Sequence, residues 1–401
     1  MTNGLSGPRK QFLDVLRVLA TCAVVLMHVL TGATDVTDAS IVPEYRSLLL
    51  SVMDLVTWCV PIFLLISGYL FLNPERTLTY PVMIKKYCRR IALAILLFGV
   101  PYAASELVVA ERTFRIRMIP EALKMTLMGH TWSHMWYLYL ILFLYLITPL
   151  LKKVLRVLPV WGVAAVMAVI FLGSSVAPFL NKVLDVNSIP VLPDGGVYFL
   201  YYLCGYFFAV REVCVDKGRN VGGQMVKPGS GRRAGDNTEW DGETQNVESQ
   251  AWNVWLIAAA VLIMGMILSR TLAGFSIQMA YNYPFTVLLA VLLFAAGWTG
   301  GRDGADSTAR EKDRTHRIPW QEAGALSFAV YLVHPVYVNL LYKFVKITPF
   351  TVLKQCGVQS VAAGHAVLIL LLTVFCLVVL ALATATAWVL RKIPVLRKFV
   401  L

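Results

Sequence analysis

Three ionisable residues stand in one apolar stretch: Asp14, Arg17 and His28 lie within FLDVLRVLATCAVVLMHVLT, residues 12–31. A run of that length and character reads as a membrane span. Ionisable groups inside a bilayer are costly, so they face a protein interior or a wet cavity and mark functional sites. Eleven residues separate Arg17 from His28, which at 3.6 residues per turn is within about 20° of three full turns. Asp14 lies three residues before Arg17, on the same side. A polar stripe therefore runs up the helix, with Arg17 and His28 roughly 16 Å apart along its axis. The two cannot touch each other, but one elongated ligand can touch both. A neutral His is a general base near neutral pH, and Arg holds phosphate or a polar ligand arm. Spacing alone leaves a structural reading open, in which Arg17 snorkels to the interface and His28 is hydrogen-bonded between helices.

The rest of the chain must supply the bundle around that helix. Of 401 residues, 58% are hydrophobic and 15% charged, whereas soluble domains run at about 45–50% and 25%. Mean hydropathy is +0.67. The expected fold is therefore all-α: a polytopic membrane bundle in a single domain over 1–401, embedded in the plasma (inner) membrane. Apolar runs of spanning length fall near 12–32, 48–72, 88–107, 134–151, 157–177, 196–211, 252–270, 280–299, 321–345 and 362–390. That makes about ten, the sixth being short. The first run has no small-residue cleavage site, so it is expected to remain as a helix and not act as a cleavable signal. The polar, Gly-containing stretches at about 216–250 and 300–317 read as flexible linkers.

Positive charge sets the orientation. Arg9 and Lys10 precede the first span. Arg76, Lys85, Lys86, Arg89 and Arg90 follow the second, and Lys152, Lys153 and Arg156 follow the fourth. With the two linkers and the tail (Arg391, Lys392, Arg397, Lys398) these fall on one side if both termini are cytoplasmic. The exception is 108–133, with Arg112, Arg115, Arg117 and Lys124 on the outer side. That segment reads as an anion-binding loop, an interfacial amphipathic helix or plain surface charge. The net charge of +13 thus reports cytoplasmic loops, not nucleic-acid binding. Seven scattered cysteines without CxxC or metal-ligand spacing imply neither a disulfide framework nor a zinc site. The sequence assigns no oligomeric state.

With that orientation Arg17 lies near the cytoplasmic mouth and His28 about 24 Å beyond Phe12, toward the outer face. FLDVLRVLATCAVVLMH resembles the first helix of the membrane acyltransferase-3 family, whose mark is Arg or Lys, ten residues, then His, within Asp-x-x-Arg. The family includes bacterial polysaccharide O-acetyltransferases. Further segments agree: VPIFLLISGYLF (60–71), KKYCRRIALAILLFGVPY (85–102), HMWYLYLILFLYLITPLL (134–151) and LSFAVYLVHPVYV (326–338). Val15 stands where the family commonly has Gly. No large appended extracytoplasmic domain is present, so acceptor binding is expected from the membrane body and outer loops.

The resemblance implies an enzyme that transfers an acyl group, with acetyl the expected one, from acetyl-CoA to a hydroxyl of a cell-envelope glycan, glycolipid or similar acceptor. Catalytic roles then fall to His28 (base or acyl carrier), Arg17 and Asp14. Arg17, Lys85, Lys86, Arg89 and Arg90 meet the CoA side, although positive-inside anchoring explains the basic cluster equally well. His134, Trp136, Tyr137 and His334 are candidates for the acceptor. An aromatic belt competes for Trp136 and Tyr137. For His334, before Pro335, the competing role is a structural bond to a freed backbone carbonyl. Ser67 and Gly68 read as a close helix contact. Two other readings use the same residues: a transporter or flippase for a glycolipid or small anion along the stripe, and a non-catalytic assembly partner.

Overall fold

A computed structural model of the chain describes residues 10–36, 42–224, 253–268, 280–303, 320–358 and 360–400, among which there is no strand. Among the described residues, eight helices are long and apolar enough to cross a bilayer. They are α1 (Gln11–Val36), α2 (Tyr45–Phe71), α3 (Tyr80–Glu111), α4 (Ser133–Val157), α5 (Val160–Leu184), α6 (Gly196–Cys214), α9 (Trp320–Phe344) and α10 (Val361–Lys392). Between α6 and α9 lie two shorter apolar helices, α7 (Asn253–Leu268) and α8 (Pro284–Gly300), where the seventh and eighth spans were expected. The all-helical membrane bundle is as composition implied; among the described residues, eight of the expected ten or so spans reach crossing length.

Helix also extends into the stretches expected as linkers. The helix that begins as α6 runs on to Gln224, and the one that begins as α8 runs to Asp303. No proline interrupts either run after its start, so nothing forces a break. The remainders, 225–250 and 304–317, lie outside the described residues. Within the basic segment 108–133, a ten-residue helix (Met118–Leu127) packs against α3, in keeping with the amphipathic alternative. Arg115 and Arg117 there are exposed and pair with Glu111 at 3.3 and 3.8 Å. Such surface pairs contribute little.

α1 is the helix the others surround: it packs against α2, α8, α9 and α10. Small residues make those approaches possible. A Cβ on Gly297 of α8 would stand 3.1 Å from Leu16, and one on Gly324 of α9 only 2.8 Å from Asp14. Phe12 meets the rings of Tyr69 and Phe294 edge-on, at 5.8 and 6.0 Å. Further along, Tyr342 donates to the Val29 carbonyl at 3.1 Å. At the start of α1, Lys10 pairs with Glu212 and donates to the Tyr69 hydroxyl, which itself donates to Glu212. That knot ties α1, α2 and the α6 helix together.

The closest helix pair is α2 against α6. A Cβ on Gly68 would sit 1.9 Å from the Tyr202 carbonyl oxygen, and one on Gly205 would sit 2.3 Å from the Leu65 carbonyl oxygen. Each glycine lies directly against the other helix's backbone. The close contact expected of Gly68 is thus present, and it is reciprocal.

Candidate active site

Asp14 and Arg17 form an ion pair within α1. Arg17 Nη1 donates to Asp14 Oδ1 at 2.8 Å, with the Asp14 side chain fully buried and that of Arg17 26% exposed. The pair keeps a buried carboxylate compensated and fixes the guanidinium direction while leaving part of it accessible. Asp14 therefore acts on Arg17; it lies fourteen positions from His28 on the same helix. Beyond Arg17, Tyr145 of α4 lies within electrostatic range of both Arg17 and Arg90. The Ser67 hydroxyl reaches Tyr137 and Tyr145.

The four basic residues at the start of α3 are all exposed but differ in what they touch. Lys86 lies 5.3 Å from the Tyr87 ring and Arg89 5.4 Å from the Phe399 ring. Arg90 bridges inward: its Nε donates to the Val400 carbonyl at 2.8 Å, and its guanidinium lies 5.7 Å from the Phe328 ring of α9. Sequence weighed all four alike; only Arg90 shares the surroundings of Tyr145 with Arg17.

At the other end of the stripe, three helices each deliver a histidine to one cluster. The His28 ring of α1 lies 5.0 Å from His334 of α9 and 6.2 Å from His134 at the start of α4. His134 and His334 are 5.8 Å apart. His134 and His334 are 3% and 0% exposed, while His28 is only partly covered. Nothing in the local sequences announces this convergence, because positions 28, 134 and 334 meet only in the fold.

Pro335 explains the setting of His334. A proline has no N–H to give to the carbonyl four residues earlier, which is that of Tyr331. His334 Nδ1 donates to this oxygen at 2.8 Å and to Val330 O at 3.2 Å. The structural bond expected there is real. It uses one ring nitrogen, and Nε2 has no hydrogen-bond partner among the described residues. His134 engages the Leu332 backbone, and its Nε2 is likewise buried without a partner.

Tyrosines that sequence reading passed over hold the cluster. Tyr331 donates to the His134 carbonyl, and Tyr102 donates to Leu332 O at 2.5 Å while stacking on Trp132 at 4.2 Å. Tyr281 donates to Met27 Sδ at 3.2 Å. Trp136 lies 5.4 Å from Tyr198 and 5.8 Å from Tyr281, and Tyr137 lies 5.8 Å from Tyr331. Trp136 and Tyr137 therefore belong to an aromatic sleeve beside the histidines. Replacing Tyr331 by Phe is expected to strand the buried His134 carbonyl and cost about 1–3 kcal/mol. A fall in thermal midpoint with a matching loss of activity would bear this out; an unchanged midpoint would count against the bond.

A family model described as an acyltransferase domain, of the acyltransferase-3 type, matches residues 10–389. No curated protein and no solved structure matches the chain. The family match lends no support to the transporter reading.

Proposed function

Since the chain belongs to the acyltransferase-3 family and is a membrane acyltransferase, we propose that it moves an acyl group, acetyl in the first instance, from cytoplasmic acyl-CoA to a hydroxyl of a cell-envelope glycan, glycolipid or similar acceptor. The observation that carries this reading is the single helix α1. It holds a buried ion pair presenting Arg17 at one end and, roughly 16 Å away by helix rise, a partly accessible His28 inside a histidine cluster.

In the proposed arrangement α7 and α8 complete a ten-helix domain in the plasma membrane, with both termini cytoplasmic. Arg17, steadied by Asp14, and Arg90 receive the donor's polar arm, while Lys85, Lys86 and Arg89 attract its phosphates at the mouth. Arg suits phosphate through its paired N–H donors. His28 removes the proton of the acceptor hydroxyl. The oxygen bonds to the thioester carbonyl carbon, the C–S bond breaks, and the proton leaves with the CoA thiol. The same nitrogen could instead carry the acyl group between donor and acceptor. His134, His334, Trp136 and Tyr137 face the acceptor.

Membranes containing the protein, incubated with isotope-labelled acetyl-CoA, should release free CoA and label an envelope component. Label movement without CoA release, or neither, would overturn the proposal. Asp14→Ala should raise the apparent KM for acetyl-CoA about tenfold, the equivalent of one charge-assisted bond's 1.4 kcal/mol, with a smaller effect on kcat. A kcat loss at unchanged KM would place Asp14 elsewhere in the reaction.

A further inference from the structure

The histidine cluster has more hydrogen-bond acceptors than its surroundings can satisfy. In His334 the bonds to Val330 O and Tyr331 O require the proton on Nδ1, because a carbonyl can only accept. Nε2 therefore carries a lone pair. The His334 ring itself lies 5.0 Å from that of His28 and 5.8 Å from that of His134. His134, whose ring lies against the Leu332 backbone, also has an Nε2 without a partner among the described residues. Two buried ring nitrogens thus lack a partner, a costly condition inside a bilayer.

The neighbouring hydroxyls do not supply one. Tyr331, Tyr102 and Tyr342 donate to backbone carbonyls, and Tyr281 donates to Met27 Sδ. A ligand that brings hydrogen-bond donors would satisfy both nitrogens. An ammonium carries donors too, but a buried cation needs a counter-charge. Among the described residues, the electrostatic neighbours of the three rings are one another and the backbone, with no carboxylate.

We infer that Nε2 of His134 and Nε2 of His334 form a two-acceptor subsite that takes two neighbouring hydroxyl protons of a neutral polyol beside His28. This rests on His28 as the reacting group and deepens that reading. The acceptor is selected for a pair of hydroxyls, and simple alcohols and amines are refused. A site built around substrate O–H groups rejects an analogue lacking one, because its own polar atoms are then left unpaired.

The test uses the full chain labelled with 15N-histidine in phosphatidylcholine nanodiscs, whose headgroup has no hydroxyl, observed by solid-state NMR. His134→Gln and His334→Gln each remove one set of signals and so assign them. The wild-type rings should both show a protonated Nδ1 and an unprotonated Nε2. Methyl α-glucopyranoside should shift both Nε2 signals upfield, whereas propan-1-ol and ethanolammonium should not. A proton on Nε2 of either ring, a shift at fewer than both rings, or an equal response to propan-1-ol would overturn the subsite. No acyl-CoA is added, so a negative result here leaves the transfer reaction standing, and absent CoA release in the labelled-donor experiment leaves the subsite standing.

Discussion

His28→Ala is expected to lower acyl transfer from acetyl-CoA by about 10²- to 10⁴-fold, the range of a positioned general base. His28 is partly accessible and makes no hydrogen bond with a described residue, so its removal should spare the fold. The measurement is free CoA released by purified protein, with elution volume and thermal midpoint as controls for folding. His28→Gln should be equally inactive, since an amide matches the ring's bulk but is no base. Wild-type turnover in a well-folded His28→Ala protein would remove His28 from the chemistry. Its neighbours would then have to carry it, and His334 has already committed one nitrogen to the backbone.

The second large effect is on folding and arises at Gly68. An alanine there would set its Cβ 1.9 Å from the Tyr202 carbonyl oxygen, and the obstruction is backbone, which no rotamer change relieves. Overpacking against side chains costs about 1–3 kcal/mol; against backbone on a facing helix the loss should reach or exceed the top of that range. Gly68→Val should fail to give a monodisperse peak by size-exclusion chromatography in mild detergent, and Gly205→Val should behave alike. Gly129, where an added Cβ would meet nothing within 4 Å, is the control for space, although its φ of +78° makes a modest strain cost expected. Normal folding of Gly68→Val would mean that α2 and α6 are not in backbone contact.

Much of this was written in local sequence. The stripe on α1 was legible because Asp14, Arg17 and His28 sit on one helix and obey its period. Gly68 was legible because a small residue in an apolar span has few other uses. The tyrosines were not, because their meaning lies in a partner elsewhere: Tyr102 finds an oxygen at position 332, and Tyr331 finds one at position 134. A tyrosine in a membrane helix looks the same whether it braces a buried histidine or faces lipid. The difference between Arg90 and its basic neighbours was hidden for the same reason, since the Val400 carbonyl that receives Arg90 lies 310 positions away. The expected seventh and eighth spans meet the shorter apolar helices α7 and α8, of which α7 is described only as far as Leu268.

The Asp14–Arg17 pair also bears on how such a protein is made. α1 is the first of the described helices to leave the ribosome, yet three of its neighbours, α8, α9 and α10, are among the last. For most of synthesis it must rest in the bilayer without the groups that will later enclose its charges. A counter-charge three residues away is present as soon as one turn of helix forms, before the other described helices exist. The carboxylate thus serves the nascent chain as well as the finished enzyme: it lets an arginine wait in lipid until the helices that use it arrive.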